Sequence, residues 1–217
     1  ISRCFPHVVN ISCQAVIETA ENGACEDAIS RVRGGIREIR KSGIRRDAFT
    51  KAVIITHQKP LQLLRDVKTR WSSFQLMLRR ADLLSKNMHD FLSDSAYGDL
   101  SEFILSDDDW RILRQLMRVL AIPHAYQQLL SKEKTPTLCD ALPSFVEMIR
   151  LWEDLKYQLP EMIDPINAGL AKLKDYQSRM AKIPAYTYSM CKSVLSLFSI
   201  LCMVTHVLCS GQSRYEV

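Results

Sequence analysis

Glycine and proline are scarce in this chain, at 7 and 8 of 217 residues. Stretches of strict apolar–polar alternation are short, so little in it predicts β-strands. Charge of one sign is also lacking, since 29 Lys and Arg against 24 Asp and Glu leave a net charge of only +5. That is far from a histone-like tail, and it permits an anionic partner without requiring one. No signal peptide opens the chain, because Arg3, Pro6, His7 and Asn10 interrupt any apolar core there. The seven cysteines (4, 13, 25, 139, 191, 202 and 209) are scattered and odd in number, which fits a reduced intracellular compartment. No internal repeat and no sustained heptad is present. What remains is 47% hydrophobic and 24% charged, a globular composition long enough for one large domain or two small ones.

Helical periodicity, by contrast, recurs throughout. Val8, Val9, Ile11, Ala15, Val16 and Ile17 read as a buried helix. Ala28, Ile29, Val32, Ile36 and Ile39 form the next stripe. Gly34-Gly35 within it costs about 1 kcal/mol per glycine relative to alanine, so a kink or a close approach is expected there. Ser42-Gly43 is expected to end this helix and Asp47 to open a short one through Phe49, Val53 and Ile54. A long stripe follows at Phe74, Met77, Leu78, Ala81, Leu84, Met88 and Phe91. Asp107-Asp108-Asp109 invites a metal, but it directly precedes Trp110, Leu113, Met117 and Leu120 at helical spacing, so capping is the expected role. Pro123 is expected to interrupt or kink that run before Tyr126. Residues 132–137 read as a linker, and two more amphipathic helices follow, from Leu142 to Leu159 and from Ile163 to Tyr176.

Three groups of residues invite a functional reading. Trp71, between Lys68 and Arg70 on one side and a helix on the other, sets an aromatic plane among cations, which suits a base stacked beside a phosphate backbone. The competing reading is a core tryptophan with solvated basic neighbours. Lys68 and Arg70 favour at least partial exposure of the ring, with Phe74 as the inward anchor. Thr69 or Ser72 would cap the helix, and Asp66 would pair with Arg70 or cap. The second group is the basic helix, where Arg31, Arg33, Arg37, Arg40, Lys41, Arg45 and Arg46 face only Glu38 within the span. It reads either as a solvated face or as an electrostatic footprint for nucleic acid, with Arg33, Arg37 and Arg40 off the apolar stripe. The third is Cys4 with His7. Two zinc ligands are not four, no second pair matches them, and a packed, hydrogen-bonded pair is expected instead of a metal site.

Four blocks in order tie these groups to a known family. Asp66-Val67-Lys68-Thr69-Arg70-Trp71-Ser72-Ser73, preceded by Leu61, Leu63 and Leu64, resembles the D-V-x-T-R-W-x-S signature of hAT-superfamily DNA transposases. Cys4, His7 and Asn10 resemble that family's C-x-x-H-x-x-N segment. Leu130-Ser131, Pro136-Thr137-Leu138 and Leu142-Pro143 resemble its L-S…P-T-L…L-P stretch. Gly169 to Leu173 with Tyr176, then Pro184-Ala185-Tyr186, resemble the segment that follows. Together they span residues 1 to about 190, and the chain, which begins at Ile1 without a Met, reads as a piece of a longer protein.

The resemblance implies a mostly helical fold. Residues 1–25 would end an RNase H-like catalytic core, and 26–190 would form the all-α insertion domain that interrupts it. Residues 191–217 would be a divergent apolar tail. Its run from Ser193 to Cys209 reads as a truncated or mis-spliced product, a divergent buried helix, or a membrane segment, with no membrane partner favoured. Such transposases cut DNA with an Asp-Asp-Glu triad holding two cations, Mg2+ or Mn2+ in a full-length active relative. No residue here is assigned to that triad, so this chain alone is expected to be catalytically inactive, with no metal or other cofactor of its own. Trp71 would be the residue implicated in stacking against a base exposed during cleavage. The resemblance further implies DNA, in the form of transposon ends, as partner, a nuclear location, and any homo-oligomer formed through regions outside this chain. The alternative is a domesticated helical protein-interaction scaffold without DNA activity.

Overall fold

A computed structural model describes the backbone of residues 5–130 and 138–180. Among these residues there are eight α-helices, three single-turn 3-10 helices and no strand, so the fold is all-α as expected. The helices are α1 (Phe5–Glu21), α2 (Glu26–Ile39), α3 (Gly43–His57), α4 (Trp71–Leu83), α5 (Ser85–Leu92), α6 (Asp107–Leu130), α7 (Leu138–Gln158) and α8 (Ile163–Met180). The chain divides into two compact units, one of Val16–Arg118 and the other of Ile1–Ala15 with Val119–Val217. Both boundaries fall inside helices, α1 and α6.

In the first unit α2 is the central element, packing against α3, α4, α5 and the 3-10 turn Ser101–Phe103. Its stripe of Ile29, Val32, Ile36 and Ile39 is buried as the spacing predicts. The glycine pair is a place of close approach: a Cβ on Gly34 would lie 2.4 Å from the Phe103 ring, and one on Gly35 3.2 Å from Leu92. Opposite them α3 contributes Phe49 and Val53, and α5 contributes Phe91. Phe91 stacks on Tyr97 with ring centroids 4.2 Å apart and meets Phe49 edge-on.

Two boundaries differ from the sequence reading. Ser42 does not close α2 but caps α3, its hydroxyl accepting from the Arg45 amide at 3.2 Å, so α3 starts four residues before Asp47. The long stripe that includes Phe74 and Phe91 is two helices, divided at Leu84. The apolar face is continuous across the break because Leu84 and Met88 are both buried. Asn87 then ties α5 to α3, donating to Thr56 Oγ1 at 3.0 Å.

The acidic run does cap α6. Asp109 Oδ2 accepts from the Ser106 amide at 2.8 Å while Ser106 Oγ accepts from the Asp109 amide at 3.1 Å, a reciprocal box at the helix start. Arg31 of α2 donates to the same carboxylate at 2.9 Å. Burial, the largest influence, pushes the Asp109 carboxyl up, but Ser106 and Arg31 together outweigh it and hold it below the ordinary range. A depressed folded-state pKa stabilises above the unfolded value of about 3.9 and is lost as pH falls through the folded one. Asp109→Asn is therefore expected to cost about 1 kcal/mol at neutral pH. It should also flatten the acid limb of the stability curve below about pH 4, as denaturant melts at stepped pH would record.

The second unit is built on α7 packed along α8, joined by the turn Pro160–Met162. Phe145, Met148 and Trp152 of α7 face Ile166, Leu170 and Leu173 of α8 in its core. α6 runs through Pro123 without interruption. Proline lacks the amide that would bond the carbonyl four residues back, which is that of Val119. That carbonyl instead accepts the Trp152 indole N–H at 3.0 Å. Among the described residues no helix is long and apolar enough to cross a membrane. The apolar run from Ser193 to Cys209 lies outside them, as do Cys4, residues 131–137 and Pro184 to Tyr186.

Candidate nucleic-acid interface

The segment between α3 and α4 is irregular, beginning at Gln58, whose left-handed backbone (φ 56°) ends α3. It is held from both neighbouring helices. Arg40, the C-cap residue of α2, donates to the Leu63 carbonyl, and Arg80 of α4 donates to that of Gln62 at 3.0 Å. Val67 to Arg70 then close a tight turn, with the Arg70 amide bonded to the Val67 carbonyl at 2.8 Å. Ser73 locks it: its hydroxyl accepts from the Val67 amide at 2.7 Å and lies 2.6 Å from the Arg70 carbonyl. The turn presents Lys68, Thr69 and Arg70 to solvent.

Trp71 goes the other way. Its residue is only 3% exposed, which overturns the expectation of a partly open ring. The reason is local geometry. Arg70 is extended (φ −128°, ψ 96°), so successive side chains point to opposite sides and the cation faces out as the indole turns in. From there Trp71 shares a face with Phe74, Gln75 and Leu78, all buried at helical spacing. Flanking cations therefore do not expose a residue when the chain between them is extended. Neither Thr69 nor Ser72 caps α4; Arg70 occupies that position with no side-chain bond.

Asp66 pairs neither with Arg70 nor with the helix start. It accepts from Arg33 of α2, 33 residues away, at 2.5 and 2.9 Å. Arg33 also donates to Glu21 at 2.6 Å and lies over the Phe74 ring, 5.1 Å from its centroid. Burial alone would lower the Arg33 pKa, but hydrogen bonds and charges of Glu21 and Asp66 outweigh it and raise it. Arg33 is thus a clamp joining three segments, not a free surface cation. Asp66, Trp71 and Ser73 hold the block in place, while Lys68, Thr69 and Arg70 are what it displays.

Of the three arginines expected to face DNA, only Arg37 is exposed, with Arg33 clamped and Arg40 half-buried against Leu63. Arg45 is taken as well, by Glu38 and the Tyr97 carbonyl. Exposed cations without an ion-pair partner among the described residues include Arg37, Arg46, Arg65 and Arg70. Arg65 carries no signal in the sequence, because its apolar neighbours Leu61, Leu63 and Leu64 dominate the pattern. His7 is exposed on α1 rather than packed, and Asn10 is half-buried. Among the described residues no three His, Cys, Asp or Glu side chains gather at metal-binding distance.

An all-helical unit whose irregular segment displays a basic turn defines the class: a helical domain. The model of the ZBED1 RNase-like helical domain matches residues 2–119, more than half of the chain, and the chain belongs to that family. The family is hAT-derived, so this is a transposase-derived helical domain. No curated protein and no solved structure matches the chain.

Proposed function

We propose that this domain contacts the DNA backbone through the face made by the end of α2, the start of α3 and the Val67–Arg70 turn. What carries the reading is the set of exposed arginines on these elements and on the segment leading into the turn, Arg37, Arg46, Arg65 and Arg70, that have no carboxylate partner among the described residues. Four carboxylates of this unit, Glu21, Glu38, Asp66 and Asp109, are each engaged by arginine, while Asp47, next to Arg46, is exposed. The D-V-x-T-R-W-x-S resemblance supplies the choice of DNA over other polyanions, and with it a nuclear location. The role is one of contact and not of strand cleavage, since no residue of this chain is assigned to the Mg2+- or Mn2+-binding triad of a full-length relative. Anisotropy titrations of labelled duplex DNA at stepped salt test it. Affinity should fall steeply with salt, and Arg37→Ala with Arg70→Ala should flatten the slope by roughly 2, at about 0.9 per phosphate contact. An unchanged slope in that double variant would remove these residues from the interface.

One observation favours the scaffold reading. Ile44 and Ile55 of α3 are 81% and 84% exposed, apolar side chains that a protein partner could cover. Absence of salt-dependent DNA binding by the wild-type chain would leave that reading standing.

A further inference from the structure

Three arginines from adjacent segments border the corner between α2 and α3: Arg40, Arg46, whose guanidinium reaches back to 4.0 Å from where a Gly43 Cβ would lie, and Arg65. Arg40 is the C-cap residue of that helix, and its bond to the Leu63 carbonyl sets it beside the segment that carries Arg65. Arg46 stands in the first turn of α3, whose N-cap, Ser42, follows Arg40 by two residues. Arg46 and Arg65 are exposed and Arg40 is half-buried.

None of the three forms an ion pair among the described residues, although the exposed Asp47 follows Arg46 in α3. Glu38 is occupied by Lys41 and Arg45, and Asp66 by Arg33. Burial, then Arg65 and Arg46, hold the Arg40 guanidinium below its ordinary pKa, and no carboxylate acts in the opposite sense. The first turn of α3 contains no acid, although the positive end of a helix favours one, and it carries Arg46 instead. Folding thus gathers like charges at a place where the backbone also attracts an anion.

We propose that Arg40, Arg46 and Arg65 form a seat for a single phosphate group, each guanidinium donating to its oxygens at the corner between α2 and α3. The seat deepens the DNA reading above and rests on it for the source of the phosphate, a backbone diester; a free phosphate ion offers the same chemistry. Arg40 is the fixed member, because the Leu63 carbonyl orients it before any anion arrives.

Two measurements on the whole chain separate these sources. The first is thermal unfolding in potassium phosphate against potassium chloride at equal ionic strength. Phosphate should raise the midpoint above chloride, and Arg46→Gln with Arg65→Gln should abolish the difference. Lys86→Gln, which removes an exposed cation of α5, should leave it intact. The second is the salt titration of duplex DNA, where the same double variant should flatten the slope by about 1, the value for one phosphate. A fall near 2 would mean two separate phosphate contacts and would overturn the single seat. So would a double variant that matches wild type in both measurements. A phosphate-specific rise that depends on these arginines, in a chain that binds no DNA, would keep the seat and remove the DNA reading. Loss of slope without any effect of free phosphate would keep the seat and restrict it to the polymer. Circular dichroism of the double variant, expected to match wild type, guards against misfolding.

Discussion

Trp71→Ala is expected to lower the unfolding free energy by about 3–5 kcal/mol, the cost of emptying a buried tryptophan site. That is a large share of the ~5–15 kcal/mol that usually holds a domain together. The ring is 3% exposed and lies at the start of the face continued by Phe74 and Leu78. Phe74 cannot substitute for it, because Phe74 is already buried with the Arg33 guanidinium over its ring. Denaturant melts should show a shifted midpoint with an unchanged slope, since the folded state loses packing and not extent. DNA affinity of the protein that remains folded should stay the same. Lys68 and Arg70 are displayed by a turn whose backbone Ser73 closes. A loss of stability under about 1 kcal/mol, in the range of ordinary surface changes, would restore the exposed stacking platform.

Trp71 also marks where sequence reading reaches its limit. Periodicity located the stripes of α1, α2, α6, α7 and α8, because each buries one face and a helix repeats that face every three or four residues. The Asp107–Asp109 cap was legible for a similar reason, as both partners, Ser106 and Asp109, lie within one turn. What failed was the reading of side-chain direction outside regular helix. Lys68 and Arg70 suggested exposure for Trp71, and only the extended backbone at Arg70 reverses that inference. The bond between Asp66 and Arg33 spans 33 residues and leaves no local pattern. Arg33 consequently looked like a free cation of a basic helix, when folding makes it the most heavily engaged one. The same tertiary assembly that removes Arg33 from the candidate interface adds Arg65, which no stripe or motif singles out.

The second large effect is expected in the other unit, at Trp152, which is fully buried. Trp152→Ala should cost about 3–5 kcal/mol through the cavity alone. Trp152→Phe separates packing from hydrogen bonding, since phenylalanine fills much of the space but cannot donate to the Val119 carbonyl. That carbonyl has lost its helical donor to Pro123, so the variant leaves a buried acceptor unsatisfied, a penalty of about 1–3 kcal/mol. A double-mutant cycle with Pro123 tests the substitution of one donor for the other. Pro123→Ala restores an amide four residues after Val119, and in that background Trp152→Phe should cost measurably less than in wild type. The two changes should therefore couple, by an amount within the ~0.5–3 kcal/mol seen for residues sharing a partner. If the two costs simply add in denaturant melts, the indole is no substitute for the missing amide. Trp152 would then be packing alone, and the continuity of α6 through Pro123 would need another cause.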